Sequence, residues 1–153
     1  MTNLPKKSTM SAITVRPATA DDLPAIAQLL TQLYAAELPG ALSGSPEGQT
    51  RVLQFTLETN NQRGLHRRYV ACNEAGQVIA TAALEVPDEP PYERAPDGTV
   101  GMALKAMGVG PTLRLLLVVA RNMFGGYQHT VSDAAFLHSF VVDERQRGAH
   151  HGP

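Results

Sequence analysis

The segment Leu137-His138-Ser139-Phe140-Val141-Val142-Asp143-Glu144-Arg145-Gln146-Arg147-Gly148 holds the residue types best suited to chemistry. An apolar run ends in an acid and then in an Arg-Gly turn. Such a turn can present unpaired backbone N–H groups. Where it opens a helix the macrodipole adds to them, and together they suit a phosphate. His138 lies inside the apolar run, and its unperturbed pKa of about 6.5 lets it take a proton near neutrality. Glu85, near the end of an earlier apolar run, is a second candidate base if burial raises its pKa. Each feature also has a plain structural reading: a satisfied polar residue in a strand, a surface acid, a solvated turn. Other constellations point elsewhere. His129, His138, His150 and His151 have no fixed ligand spacing, so no metal site is expected. Cys72 sits in an apolar run and reads as a small buried hydrophobe. Ser43 and Ser45 lack the Gly-x-Ser-x-Gly frame of an exposed nucleophile.

Elements must hold these residues in place. Ile13 and Val15 alternate with Thr14 and Arg16, as a short strand does, and Pro17 stops it. Thr19, Asp21 and Asp22 supply capping oxygens and first-turn charge for a helix with Leu23, Ile26, Ala27, Leu30, Leu33 and Tyr34 on one face. Pro39 to Gly48 is a Gly/Ser/Pro-rich loop, and a second helix is predicted from about Pro46 to Thr59. Tyr69 to Cys72 and Val78 to Val86 flank the turn Asn73 to Gly76, which predicts an antiparallel hairpin. Pro87 to Gly98 reads as a loop. Gly101 to Phe124 reads as a helical insert in two pieces, at about 99–125, broken at Gly108 and Gly110, with Pro111 opening the second piece. Val118 and Val119 widen its apolar face and predict burial on several sides. It lacks the full Lys/Arg face of a membrane-surface helix. After a turn-rich break at Gly125 to Ser132, Ala134 to Val142 is the strand that carries His138.

Composition bounds the function. The 153 residues and 43% hydrophobic content fit one domain, expected over 12–153, behind a disordered tail at 1–11. Thirteen basic and fourteen acidic side chains give a net charge of -1, against the basic excess of a nucleic-acid binder. One cysteine excludes an internal disulfide framework. With no secretory signal and no apolar run of membrane length, a cytoplasmic protein is expected, with no nucleic-acid or membrane partner.

The order strand, helix, helix, hairpin, strand, with its sequence pieces, resembles the GNAT superfamily of N-acetyltransferases. Ile13-Thr-Val-Arg-Pro-Ala-Thr-x-x-Asp22 looks like its opening strand and helix. Glu74-Ala-Gly-Gln-Val-Ile-Ala80 looks like its strand-turn-strand, with Ala80 where glycine is common. Phe140-Val-Val-Asp-Glu-Arg-Gln-Arg-Gly148 looks like its fourth strand and the start of its acyl-CoA pyrophosphate loop. The resemblance spans about Ile13 to Gly148. It implies an α/β (α+β) fold with a mixed, mostly antiparallel sheet flanked by helices. It also implies acetyl transfer from acetyl-CoA, as co-substrate, to a small-molecule or peptide amine. By the same resemblance, Phe140, Val141 and Val142 would pair with the pantetheine arm. Arg147, Gly148, Ala149 and Gly152 would form the pyrophosphate loop. A backbone N–H near Phe140 to Val142 would polarise the thioester, and His138 or Glu85 would deprotonate the amine.

The chain departs from the family at its end. His150 stands where the loop's middle glycine belongs, and only glycine takes positive φ freely. The third helix, fifth strand and fourth helix of the family would follow Pro153. The expectation is therefore a chain truncated at about residue 149, weakly active or inactive alone, with an open sheet edge that favours a homodimer. The loop Pro39 to Gly48 and the insert Pro87 to Phe124 are expected to border the acceptor site. A non-catalytic, degenerate module of the same fold, used for binding or pairing, is the alternative.

Overall fold

The computed structural model describes residues 12–60, 65–86, 95–124 and 135–147. Four antiparallel strands form one open sheet in chain order: β1 (Thr14–Pro17), β2 (Arg68–Cys72), β3 (Val78–Glu85) and β4 (Phe136–Val142). Helices α1 (Leu23–Glu37) and α2 (Pro46–Thr59) lie between β1 and β2. Helices α3 (Thr99–Met107) and α4 (Val109–Phe124) lie between β3 and β4. The fold is mixed α+β with an antiparallel sheet.

Local chemistry explains most boundaries. Residues 20–22 form a single 3-10 turn before α1, and Thr19 N–H and Oγ1 both donate to Asp22 Oδ2, at 2.8 and 3.0 Å. The same carboxylate takes both nitrogens of the Arg16 fork at 2.7 and 2.8 Å, which ties β1 to the start of α1. Ser45 caps α2 by accepting from Gly48 N–H at 3.1 Å, and Pro46 occupies the first turn, where its missing donor does no harm. In the hairpin, Asn73 Oδ1 accepts from Ala75 and Gln77 N–H, while Gly76 takes the positive φ of 75° that the turn demands. Gly108, at φ 88°, ends α3, so the break in the insert falls there. Gly110 and Pro111, expected at the break and at the helix start, instead lie within the first turn of α4, where proline is still tolerated.

One core lies between α1 and the sheet. Leu23, Ile26, Ala27 and Leu30 of α1 pack with Val70 and Cys72 of β2 and with Leu57 of α2. Each fully buried aliphatic side chain of this kind contributes about 1.5–3 kcal/mol. Cys72 is buried there as a small hydrophobe. Away from the sheet, α2 packs on α3 through Val52, Ala103 and Met107. The expected burial of α4 on several sides is not what forms. Leu113, Leu117 and Val119 are exposed, because α4 packs chiefly on α3, along one flank. No helix among the described residues is long and apolar enough to cross a membrane. The tail 1–11, most of the loop 87–98 and the break 125–132 lie outside the described residues, or nearly so.

Candidate functional site

β4 is a sheet edge among the described residues, paired only with β3. Its ladder is not regular. Val141 stands opposite Thr81 and His138 opposite Ala83, so Ser139 and Phe140 together oppose Ala82. This two-against-one arrangement is a β-bulge, which bends the strand and re-aims its backbone groups. Ser139 takes the left-handed conformation that the bulge needs, at φ 51°, a strained position for a side chain that is not glycine. C-terminal to the bulge, Asp143 N–H donates to Ile79 O at 2.8 Å. Alternation then turns the Val142 N–H and C=O away from β3, toward the open edge.

His138 lies in a row that crosses three strands. Ala83 has Arg68 opposite it on β2 and His138 opposite it on β4. The small alanine between them leaves the two larger side chains within electrostatic reach. Arg68 is buried, with its NH1 3.4 Å from Thr81 Oγ1. His138 is itself exposed, yet the protein around it displaces enough water to push its pKa below the ordinary value. The Arg68 charge lowers it further, and Glu85 partly offsets both. The imidazole is thus held neutral at physiological pH, with Nδ1 3.0 Å from Ser139 Oγ. The two candidate bases therefore lie near one another at one end of the sheet. Glu85 pairs with Phe136, two residues from His138. Arg68 is the member of this group that the sequence reading missed. Its signal was available: positions 68, 70 and 72 share a strand face, so an arginine there must enter the sheet's buried side.

The turn after β4 is built differently from an open anion cradle. Residues 144–146 form a 3-10 turn capped by Asp143, whose buried carboxylate accepts from Arg145 N, Nε and NH2. Those bonds, above all from the Arg145 side chain, hold the Asp143 carboxyl below the usual carboxylate range. Glu144 N–H donates to Gln32 Oε1 of α1, Gln146 N–H to Asp143 O, and Arg147 N–H to Glu144 O. All four backbone donors from 144 to 147 are therefore engaged within the chain. Arg147, expected to reach a pyrophosphate, instead donates through Nε to Val142 O at 3.0 Å, closing part of the β4 edge. Val141 is buried against α1 and offers its side chain to the core, while Phe140 is exposed. Gly148, Ala149 and Gly152 lie outside the described residues.

The segments expected to flank an acceptor do share a cavity. Leu38, Ala41 and Leu42 after α1, and residues 95–101 with α3 and α4, line a space of about 640 Å³. It is mostly apolar and falls within the usual size range for small-molecule sites. No protein-family model and no curated protein matches the chain.

Proposed function

We propose that the chain is an acyl-CoA-dependent N-acyltransferase of GNAT type, moving an acetyl group from acetyl-CoA to an amine. The observation that carries this reading is the bulged, open-edged β4 with a neutral, solvent-accessible His138 beside the bulge. The order of strands and helices supports it as well.

The step would run as follows. His138 takes a proton from the ammonium form of the acceptor, and the freed nitrogen lone pair attacks the thioester carbonyl carbon. A backbone N–H turned outward at Phe140 to Val142 stabilises the oxyanion that develops. The C–S bond breaks, the acetyl group stays on nitrogen, and the cationic nitrogen passes its surplus proton to the departing thiolate, which leaves as free CoA. A depressed pKa leaves His138 deprotonated at pH 7 and ready to accept, though it also makes the ring a weaker base. Val142 would pair with the pantetheine arm once Arg147 releases its carbonyl. Arg147 would then be free to meet the pyrophosphate.

One observation favours the second reading, a non-catalytic module: every backbone donor from Glu144 to Arg147 is already engaged. Calorimetric titration with acetyl-CoA, together with a thiol-release assay over a panel of amines, tests both. The enzyme reading expects binding, amine-dependent thiol release, and a loss of about 100-fold in release for His138→Ala with acetyl-CoA binding retained. Binding without release for any amine selects the module. No binding at millimolar acetyl-CoA by the folded protein overturns the enzyme reading and leaves the module.

A further inference from the structure

We propose that the outer face of the sheet pairs with the same face of a second copy of this chain. The pairing is independent of acyl transfer and leaves the β4 edge open.

The helices cover one face of the sheet, the face of Val70 and Cys72. By register, Arg16 on β1, Arg68 on β2, Thr81 on β3 and His138 on β4 share that covered face. Alternation turns the residues between them outward. Val15, Ala71, Ala80 and Ala82 are among these, and Leu137 and Phe140 continue the face on β4. No charged residue stands at an outward position of the four strands. An antiparallel sheet with one wet face ordinarily alternates apolar inward with polar outward. In this sheet the charges lie on the covered side, and the outer side is aliphatic and aromatic. Val15 is 67% exposed, Leu137 62% and Phe140 58%. A face of this composition gains from being covered.

The face itself points to a second copy. It carries no charge, so two copies meet without like charges opposed, and a charged partner finds nothing to pair with. It also holds both halves of a fit. Ala71 stands opposite Ala80, and Ala82 follows on β3, which makes a shallow row of small side chains. Beside this row Leu137 and Phe140 stand up from β4. A twofold axis lying in the face seats the ridge of each copy over the alanines of the other, an arrangement that closes at two. Four strands about 4.8 Å apart, averaging about six residues at about 3.3 Å each, give a face of about 380 Å² in plan. Two such faces with their side-chain relief bury about 800–1,000 Å², the range of a weak, reversible pair.

Sedimentation equilibrium of the full chain over a range of about 5 to 500 µM tests the proposal. A monomer–dimer equilibrium is expected, with a Kd of about 10–100 µM and a Tm that rises with concentration. Leu137→Lys and Ala82→Arg each place a charge on the paired face and should weaken the dimer about ten-fold or more. Both positions face away from α1, so circular dichroism melts at low concentration should show each variant folded. Ala82 lies on β3, away from the open edge of β4, and so separates face pairing from edge pairing. A dimer that survives Ala82→Arg is an edge pair and overturns the proposal. Association that continues past two copies overturns it as well. A folded chain that stays monomeric to about 500 µM also overturns it and leaves the face to a different chain.

Discussion

Asp22 offers the sharpest test of how the first strand is fastened to the first helix. Its buried carboxylate takes two bonds from Arg16 and two from Thr19. The Arg16 hydrogen bonds are the largest cause of a pKa held down to about 2 from an ordinary 3.8. The folded form therefore binds this proton less readily than the unfolded form. A carboxyl depressed this far contributes about 2 kcal/mol at neutral pH, present in full above pH 4 and lost as the pH falls through 2. Asp22→Asn keeps the shape and removes the charge. Urea unfolding of both proteins from pH 7 to pH 2 should show the variant less stable by about 2 kcal/mol at pH 7, with the gap closing between pH 4 and pH 2. Comparing the two proteins at each pH cancels the Asp143 carboxyl, which is depressed in both. For a chain of this size the loss equals about 4–8 °C in Tm. A gap that stays constant across that range, or is absent at pH 7, would refute the assignment of this stability to the carboxylate.

Two further outcomes follow from the packing and the charges. Gly48 lies where an added Cβ would meet the carbonyl oxygen of Ala106, with the Ala106 carbonyl carbon at 3.2 Å, so Gly48→Ala should destabilise by about 1–2 kcal/mol in denaturant unfolding despite alanine's better helix propensity. Because burial and Arg68 depress the pKa of His138, the folded state resists its protonation. Wild type should therefore lose stability as pH falls below about 6.5, and that slope should flatten in His138→Gln, as read by thermal melts between pH 7.5 and pH 5.

The sequence made the start of α2 and the hairpin readable because local chemistry sets them. Ser45-Pro46 marks the start of α2 by capping and by proline's missing donor, and Asn73 to Gly76 marks the turn by its own side-chain hydrogen bonds. Features fixed by partners far away in the chain were not readable. The bulge carries no glycine at its left-handed position, so Ser139 gave no local sign of it. The apolar circumference of α4 predicted burial, yet burial needs a neighbour on each side, and α3 supplies one. The engagement of the first of the 144–147 donors depends on Gln32, 112 residues before its partner Glu144. His138 and Glu85 were nominated separately by type. Their shared surroundings with Arg68 come from strand register, which fixes faces only once pairing is known.

The bulge in β4 has a consequence for insertions and deletions. Loss of one residue from a strand ordinarily turns every later side chain to the opposite face. Here His138 and Val141 sit opposite Ala83 and Thr81, two residues apart on β3 but three apart on β4. Deleting Ser139 would bring the two strands into step and leave Val141 facing the core. A single lost codon at this point would keep the hydrophobic pattern intact while straightening the edge that the bulge bends. Few positions in a sheet let a lineage shed a local geometry in one event without scrambling the core behind it.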